Sequence, residues 1–342
     1  MNINNIVALD SQYTLLQFLL LIPENEIEHT FIFHRGGLSS DVQNFFYGRI
    51  VKLTNKKGGL LTNIWNYILV AAKYPIILSS KPKYWGCDNL GFEQYIIRKH
   101  QLQLLEDGLL SYNEIPYKWK HKRFVRLKKM LMGPLACERT FVGEEHTCIC
   151  RHLTGLQDTP IVHDRKTVVN SLGELWLASS ENKKKKINQI YGIIHDEITA
   201  LQSYERIVFT QPLSEDGYIT EKEKIAIYRG IINYIGASKK IVIKPHPREK
   251  TNYEAIFPNA YILHSKAPIE LFSLGGVIFR EAYTLFSTCV LSFNYPIKVF
   301  FFGSQINKKL GDIFRKNHYG SIHAPTTNIM LQNIDFNLIK IE

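Results

Sequence analysis

Short apolar runs alternate with longer segments of helical period along this chain. Ile6–Leu9 reads as a first strand, and the apolar run from Leu15 to Ile22 reads as a buried first helix behind it. "HTFIF" and "YPIILSS" have strand character, and "LLTNIWNYILVAAKY" predicts the helix before the second of them. "HQLQLLEDG" predicts another strand that stops at an acidic turn. The alternation restarts in the second half. "RIVFTQP", "KKIVIK", "AYILH" and "IKVFFFG" read as strands. "TEKEKIAIYRGIINYIGA" reads as a helix, with Thr220 as N-cap, Glu223 closing a capping box and Gly236 near its end. "PIELFSL" predicts a helix opened by Pro268, and "STCVLSF" predicts the start of another.

Strands that alternate with helices imply parallel sheets covered on both faces, an α/β class of doubly wound type. At 342 residues the chain exceeds one comfortable core. We place the connection near the polar segment "SSENKKKKINQ", which gives domains 1–190 and 191–342. No internal repeat is present.

Composition adds two constraints. Hydrophobic residues make up 45% and charged residues 21%, as in ordinary water-exposed globular proteins. The net charge of +11 calls for an anionic partner: a nucleotide, a nucleic acid or an acidic membrane face. The segment "YKWKHKRFVRLKKM", Tyr117 to Met130, carries much of that charge and suits peripheral contact with an anionic cytoplasmic leaflet, although a solvated basic helix has the same composition. It matches no nucleic-acid reader motif, so we expect no nucleic-acid partner. The N-terminal apolar stretch lacks a basic lead and a small-residue cleavage site. No segment reaches the about 20 apolar residues that span a bilayer. Five Cys without framework spacing read as reduced thiols, and together these features predict a cytoplasmic protein.

The candidate chemistry lies at predicted strand ends, where ligands bind in open α/β sheets. In "IVIKPHPREK", Ile241 to Lys250, His246 follows a strand and is held between Pro245 and Pro247. A histidine near its ordinary pKa can protonate a leaving group at neutral pH. Alone, a His-Pro pair is more often a structural turn. "LLEDGLLSY" places Glu106 and Asp107 before Gly108, and "PLSEDGYIT" places Glu215 and Asp216 before Gly217. Adjacent carboxylates can raise each other's pKa and so supply a base. Each is also an ordinary Asp-Gly turn. Ser287 and Thr288 in "TLFSTCVLSF" can hold a phosphate at a helix start, or simply cap it. Glu270 can bind ribose hydroxyls, or complement a helix dipole. There is no Asp-x-Asp, no Walker loop and no G-x-G-x-x-G, and "HTCICRH" departs from zinc-ligand spacing.

Taken in order, "LEDGLLSY", "IKPHPRE", "PIELF" and "REAYTLFSTCVLSF" resemble the bacterial sialyltransferases of glycosyltransferase family 52, the lipooligosaccharide and capsule type. The likeness is strongest from Arg206 to Phe293. It implies a glycosyltransferase B fold, two Rossmann-like domains facing a central cleft. It also implies a CMP-sialic acid donor, a galactose-type acceptor on a surface glycan, inversion at the anomeric carbon, and neither metal nor other cofactor. By the same resemblance His246 serves the departing phosphate as acid, and Ser287 and Thr288 hold that phosphate. Glu270 contacts the ribose, with Lys244 and Pro247 beside the nucleotide. Glu106 and Gly108 flank the acceptor site. Similarity to related sialyltransferase families implies Asp107 as the base, while family 52 itself points to the "PLSEDG" loop, with Asp216 or Glu215 as the rival; we favour Asp107. Thr288 and Cys289 stand where the family has small residues. Some family members form homodimers by exchanging segments. A hexosyltransferase using another nucleotide sugar fits the same fold, and a nucleic-acid-binding protein or a non-catalytic partner subunit fits it less well.

Overall fold

The computed structural model describes residues 3–53, 65–66, 68–69, 82–87, 102–108, 111, 148–155, 167–236 and 240–316. The chain divides into two compact units, Met1–Gly192 and Ile193–Glu342.

The first unit opens with β1 (Asn5–Ala8), buried along its whole length. The predicted strand was Ile6–Leu9, so the observed one begins a residue earlier. Helix α1 (Gln12–Leu21) follows, and Ser11 caps it by accepting from the Thr14 N–H. β2 (Thr30–His34), α2 (Ser40–Phe45), β3 (Ile50–Lys52), β4 (Lys83–Gly86), β5 (Leu102–Leu105), β6 (Cys148–Leu153) and β7 (Thr167–Val169) come next. The seven strands form a parallel sheet in the order β3-β2-β1-β4-β5-β6-β7. Sequence order reverses at β1, which makes the β1–β4 boundary the switch point of the sheet. One glycine is compulsory where the loops after β1 and β2 meet: a Cβ on Gly37 would sit 1.7 Å from the Asp10 carbonyl oxygen. "YPIILSS", most of its preceding helix and the Tyr117–Met130 segment lie outside the described residues.

Helices α3 (Leu172–Leu177) and α4 (Glu181–Tyr191) complete this unit. The tetralysine run lies inside α4, which ends beside the Gly192–Ile193 boundary of the two units. Ile187, Ile190 and Tyr191 give α4 its buried face. Lys183 joins them: its Nζ donates to the Leu20 and Ile22 carbonyls, both at 2.7 Å. These acceptors end α1, where carbonyls lack partners within the helix. Lys183→Met is expected to cost about 1–3 kcal/mol, the scale for stranding buried acceptors. The urea midpoint checks this, and an unchanged midpoint overturns it.

The second unit contains α5 (His195–Leu201), β8 (Arg206–Phe209), α6 (Glu221–Ile235), β9 (Ile241–Lys244), α7 (Tyr253–Ile256), β10 (Tyr261–Ile262), α8 (Ile269–Leu274), β11 (Glu281–Thr284), β12 (Lys298–Phe301) and α9 (Lys308–Lys316). Its five parallel strands run β10-β9-β8-β11-β12, again a doubly wound order that reverses at its first strand. α6 begins with the predicted capping box of Thr220 and Glu223. It buries Ile227, Tyr228, Ile231 and Ile235 in a core shared with Val208, Ile243 and Tyr283. "STCVLSF" forms only a 3₁₀ turn, Thr288–Leu291, not an α-helix. Its start has no side-chain cap, and Thr288 and Val290 are β-branched. Pro296 follows closely.

Candidate active site

In the Ile193–Glu342 unit, the loops after β8, β9 and β11 leave the sheet at its carboxyl edge. β8 and β11 are neighbours there, so the loops that follow them flank the switch point. β9 ends at Lys244, as its apolar run predicts, and the loop with His246 follows at once. The Lys244 ammonium donates to the Ser265 carbonyl at 2.7 Å. Burial brings its pKa down to about 8, against the opposing pull of Cys289, Glu270 and Glu197. Glu270, in the first turn of α8, is buried and accepts from the Ser292 hydroxyl. Ser287 donates its N–H to Thr284 Oγ1 at 2.9 Å, and its hydroxyl lies 2.8 Å from Cys289 Sγ. Burial pushes the Cys289 thiol up to about 12, so it stays protonated. Lys244, Glu270, Cys289 and Ser287 thus form one neighbourhood. The Thr288 backbone belongs to the 3₁₀ turn, and its side chain lies outside the described residues.

His246 is partly buried, and the Arg248 N–H donates to its Nδ1 at 3.2 Å. With Nδ1 as acceptor, the ring proton of the neutral imidazole sits on Nε2. The expectation of an ordinary histidine pKa fails. Burial, and then the Arg248 charge, bring it down to about 4. His246 is therefore neutral at pH 7 and offers an N–H, not an imidazolium. Pro247 is exposed on the same loop.

Carboxylates brace this loop. Asp216 forms a two-point ion pair with Arg248, including Nη2 to Oδ2 at 3.0 Å. Glu215 accepts from the Lys250 N–H at 2.7 Å and from Lys224 Nζ at 2.9 Å. Burial works to raise the Glu215 pKa, but the Lys224 ammonium and the Lys250 N–H outweigh it and bring it to about 2. Glu249, which the sequence reading passed over, accepts from the His246 N–H at 2.7 Å. Lys224 was also missed. It was visible as a charge on the apolar stripe of α6 that includes Ile227, Tyr228 and Ile231.

In the Met1–Gly192 unit, the acidic turn follows β5. Glu106 is fully enclosed. Its carboxylate accepts from the Thr154 N–H at 2.6 Å, the Thr154 hydroxyl at 3.0 Å and Tyr13 OH at 2.9 Å. The expectation of substrate contact at Glu106 is therefore corrected, because its oxygens are spent on the protein. Asp107 is only partly buried, and its N–H donates to Ser111 Oγ at 2.7 Å. Gly108 takes a positive φ of 58°, the turn that releases the chain from the strand. Among the described residues, no three His, Cys, Asp or Glu side chains gather as metal ligands, and no helix is long and apolar enough to cross a membrane.

The α/β-galactoside α-2,3-sialyltransferase of Photobacterium phosphoreum shares this fold, with a TM-score of 0.57 at 14% identity over 92% of this chain and 95% of that one. A Photobacterium 2,6-sialyltransferase, solved as a ternary complex with CMP and lactose, has a TM-score of 0.56 at 10% identity over 96% of this chain and 78% of that one. At such identities the likeness is one of fold. Two Rossmann-like units of this kind make up the glycosyltransferase B fold. The model of glycosyltransferase family 52 matches residues 78–310, and the chain belongs to that family. An uncharacterised Haemophilus influenzae protein is 37% identical over 229 residues, 66% of this chain and 70% of that one.

Proposed function

We propose that this family 52 glycosyltransferase moves sialic acid from CMP-sialic acid to a galactose-type hydroxyl of a bacterial surface glycan. Anomeric configuration inverts and no metal takes part. The observation that carries the reading is the meeting of Lys244, Glu270 and Ser287 on the loops beside His246, at the edge where a doubly wound sheet takes a nucleotide. The fold neighbours, a galactoside sialyltransferase and a 2,6-sialyltransferase solved with CMP and lactose, support the donor and acceptor classes.

The acceptor oxygen attacks the anomeric carbon through an oxocarbenium-like transition state. Its proton passes to Asp107. The bond from that carbon to the CMP phosphate breaks, and the electron pair leaves with the phosphate. His246 Nε2–H meets the charge that gathers there, and the Ser287 and Thr288 hydroxyls hold the same group. Glu270 accepts from the ribose hydroxyls, while Lys244 lies at the nucleotide. The net charge of +11 supports work at an anionic surface, with lipid-linked acceptors at the inner face of the membrane.

Incubation with CMP-sialic acid and with UDP-sugars, over a panel of galactosides, tests this. CMP release that depends on a galactoside is expected. Release of UDP instead makes the chain a hexosyltransferase, and failure to release or bind CMP overturns the donor.

A further inference from the structure

Beneath the His246 loop lies a buried polar cluster that none of the roles above uses. Lys224 and Glu249 have fully enclosed side chains, 3.6 Å apart. Lys224 projects from α6 and also meets Glu215 at 2.9 Å and Glu221 at 3.1 Å. One ammonium thus faces three carboxylates. Glu249 Oε1 accepts from the His246 N–H at 2.7 Å and from Thr210 Oγ1 at 2.5 Å. Its other oxygen accepts from Tyr253 OH at 2.5 Å. An enclosed ion cluster adds little net stability compared with apolar packing of the same volume. Its directional bonds do fix geometry. Thr210 directly follows β8, Tyr253 opens α7 and Lys224 lies on α6, so three parts of the fold converge on one carboxylate that grips the backbone of His246.

We propose that Glu249 is a positioning residue for His246, and that Lys224 ties it to the Glu215–Asp216 loop so that the two loops hold one geometry. This rests on the reading of His246 as the group that meets the leaving phosphate. Two hydrogen bonds set the imidazole. Glu249 fixes the backbone N–H, and Arg248 N–H fixes Nδ1, which aims Nε2–H outward. A displacement of about 1 Å at such a group costs on the order of 10²-fold in rate.

The test compares Glu249→Ala, Glu249→Gln and His246→Ala in CMP-sialic acid turnover, with nitrogen NMR of the histidine side chains. Glu249→Ala is expected to lower kcat about 10²-fold with donor KM within a few-fold. It should also turn His246 from one neutral tautomer, protonated on Nε2, into a mixture of two. Glu249→Gln keeps an acceptor oxygen and should recover most of both. If Glu249→Ala gives no cooperative unfolding transition, Thr210→Val and Tyr253→Phe replace it. Each removes one bond to Glu249, and each is expected to lower kcat several-fold with the same tautomer change. A kcat within threefold of wild type, or an unchanged tautomer, in the folded variants overturns the inference. His246→Ala separates the two failures: if it is inactive while the Glu249 and substitute variants match wild type, only the positioning role falls. If His246→Ala itself keeps full turnover, the role of His246 falls first.

Discussion

His246→Ala is expected to lower CMP-sialic acid turnover at least ~10²-fold, the usual scale for removing acid–base or hydrogen-bond help at a leaving group. The size follows from what the structure makes of this ring. Burial and the neighbouring Arg248 charge bring its pKa to about 4, so the free enzyme presents neutral imidazole between pH 5.5 and 7.5. A neutral ring placed this way donates an Nε2–H hydrogen bond to the departing phosphate and keeps its proton as negative charge builds there. Two consequences separate this from an ordinary catalytic histidine. The profile of kcat/KM, which reports the free enzyme, should show no His246 inflection near pH 6.5. Stability should depend on this ring in the opposite sense to a salt-bridged histidine. The unfolded chain takes up the proton near pH 6.5 and the folded one only near 4, so the contribution is complete above 6.5 and is lost as pH falls toward 4. His246→Ala should flatten the acid side of the thermal-stability curve over that range. An inflection near 6.5 that disappears in His246→Ala would show that the ring titrates normally, and turnover within threefold of wild type would remove it from the chemistry.

The parts of this architecture legible in the sequence are those set by local period and local capping. β9 ends at Lys244 because three buried apolar residues in a row, Ile241 to Ile243, suit a strand covered on both faces, and Pro245 stops the ladder. The α6 capping box needs only residues three apart, and it was read correctly from Thr220 and Glu223. What escaped depends on partners distant in the chain. Glu106 looks in the sequence like half of an exposed acidic pair. Tyr13 and Thr154, which enclose it, lie 93 and 48 residues away. The tetralysine run looks like a linker because lysine dominates its composition. Its role in closing α1 requires knowing that α4 packs where α1 ends. Lys224 and Glu249 escaped for the same reason, since a buried charge is recognised by its counter-charges and not by its neighbours in sequence.

The two candidate bases, Asp107 and Asp216, differ in how the chain holds them. Asp107→Asn is expected to lower turnover 10²–10⁴-fold, the range for loss of a general base. Asp216→Asn is expected to cost less than tenfold, the difference that assigns the base. Asp216 spends both oxygens on Arg248, in a pair that braces the His246 loop, so its loss is felt through geometry. Asp107 sits on a rigid mount. Glu106 anchors the turn through its carboxylate, and also through its N–H to Gln17 and its carbonyl from Thr14, both at 2.9 Å. A base needs such a mount, because a proton-accepting oxygen must be held within hydrogen-bond reach of the acceptor hydroxyl. Asp107→Glu, which moves the carboxylate by one methylene, should retain more activity than Asn. In Asp107→Asn donor binding, read by CMP titration, should stay within a few-fold. If Asp216→Asn instead gives the larger loss, the base belongs to the loop after β8, and Asp107 serves the acceptor only as a hydrogen-bond partner.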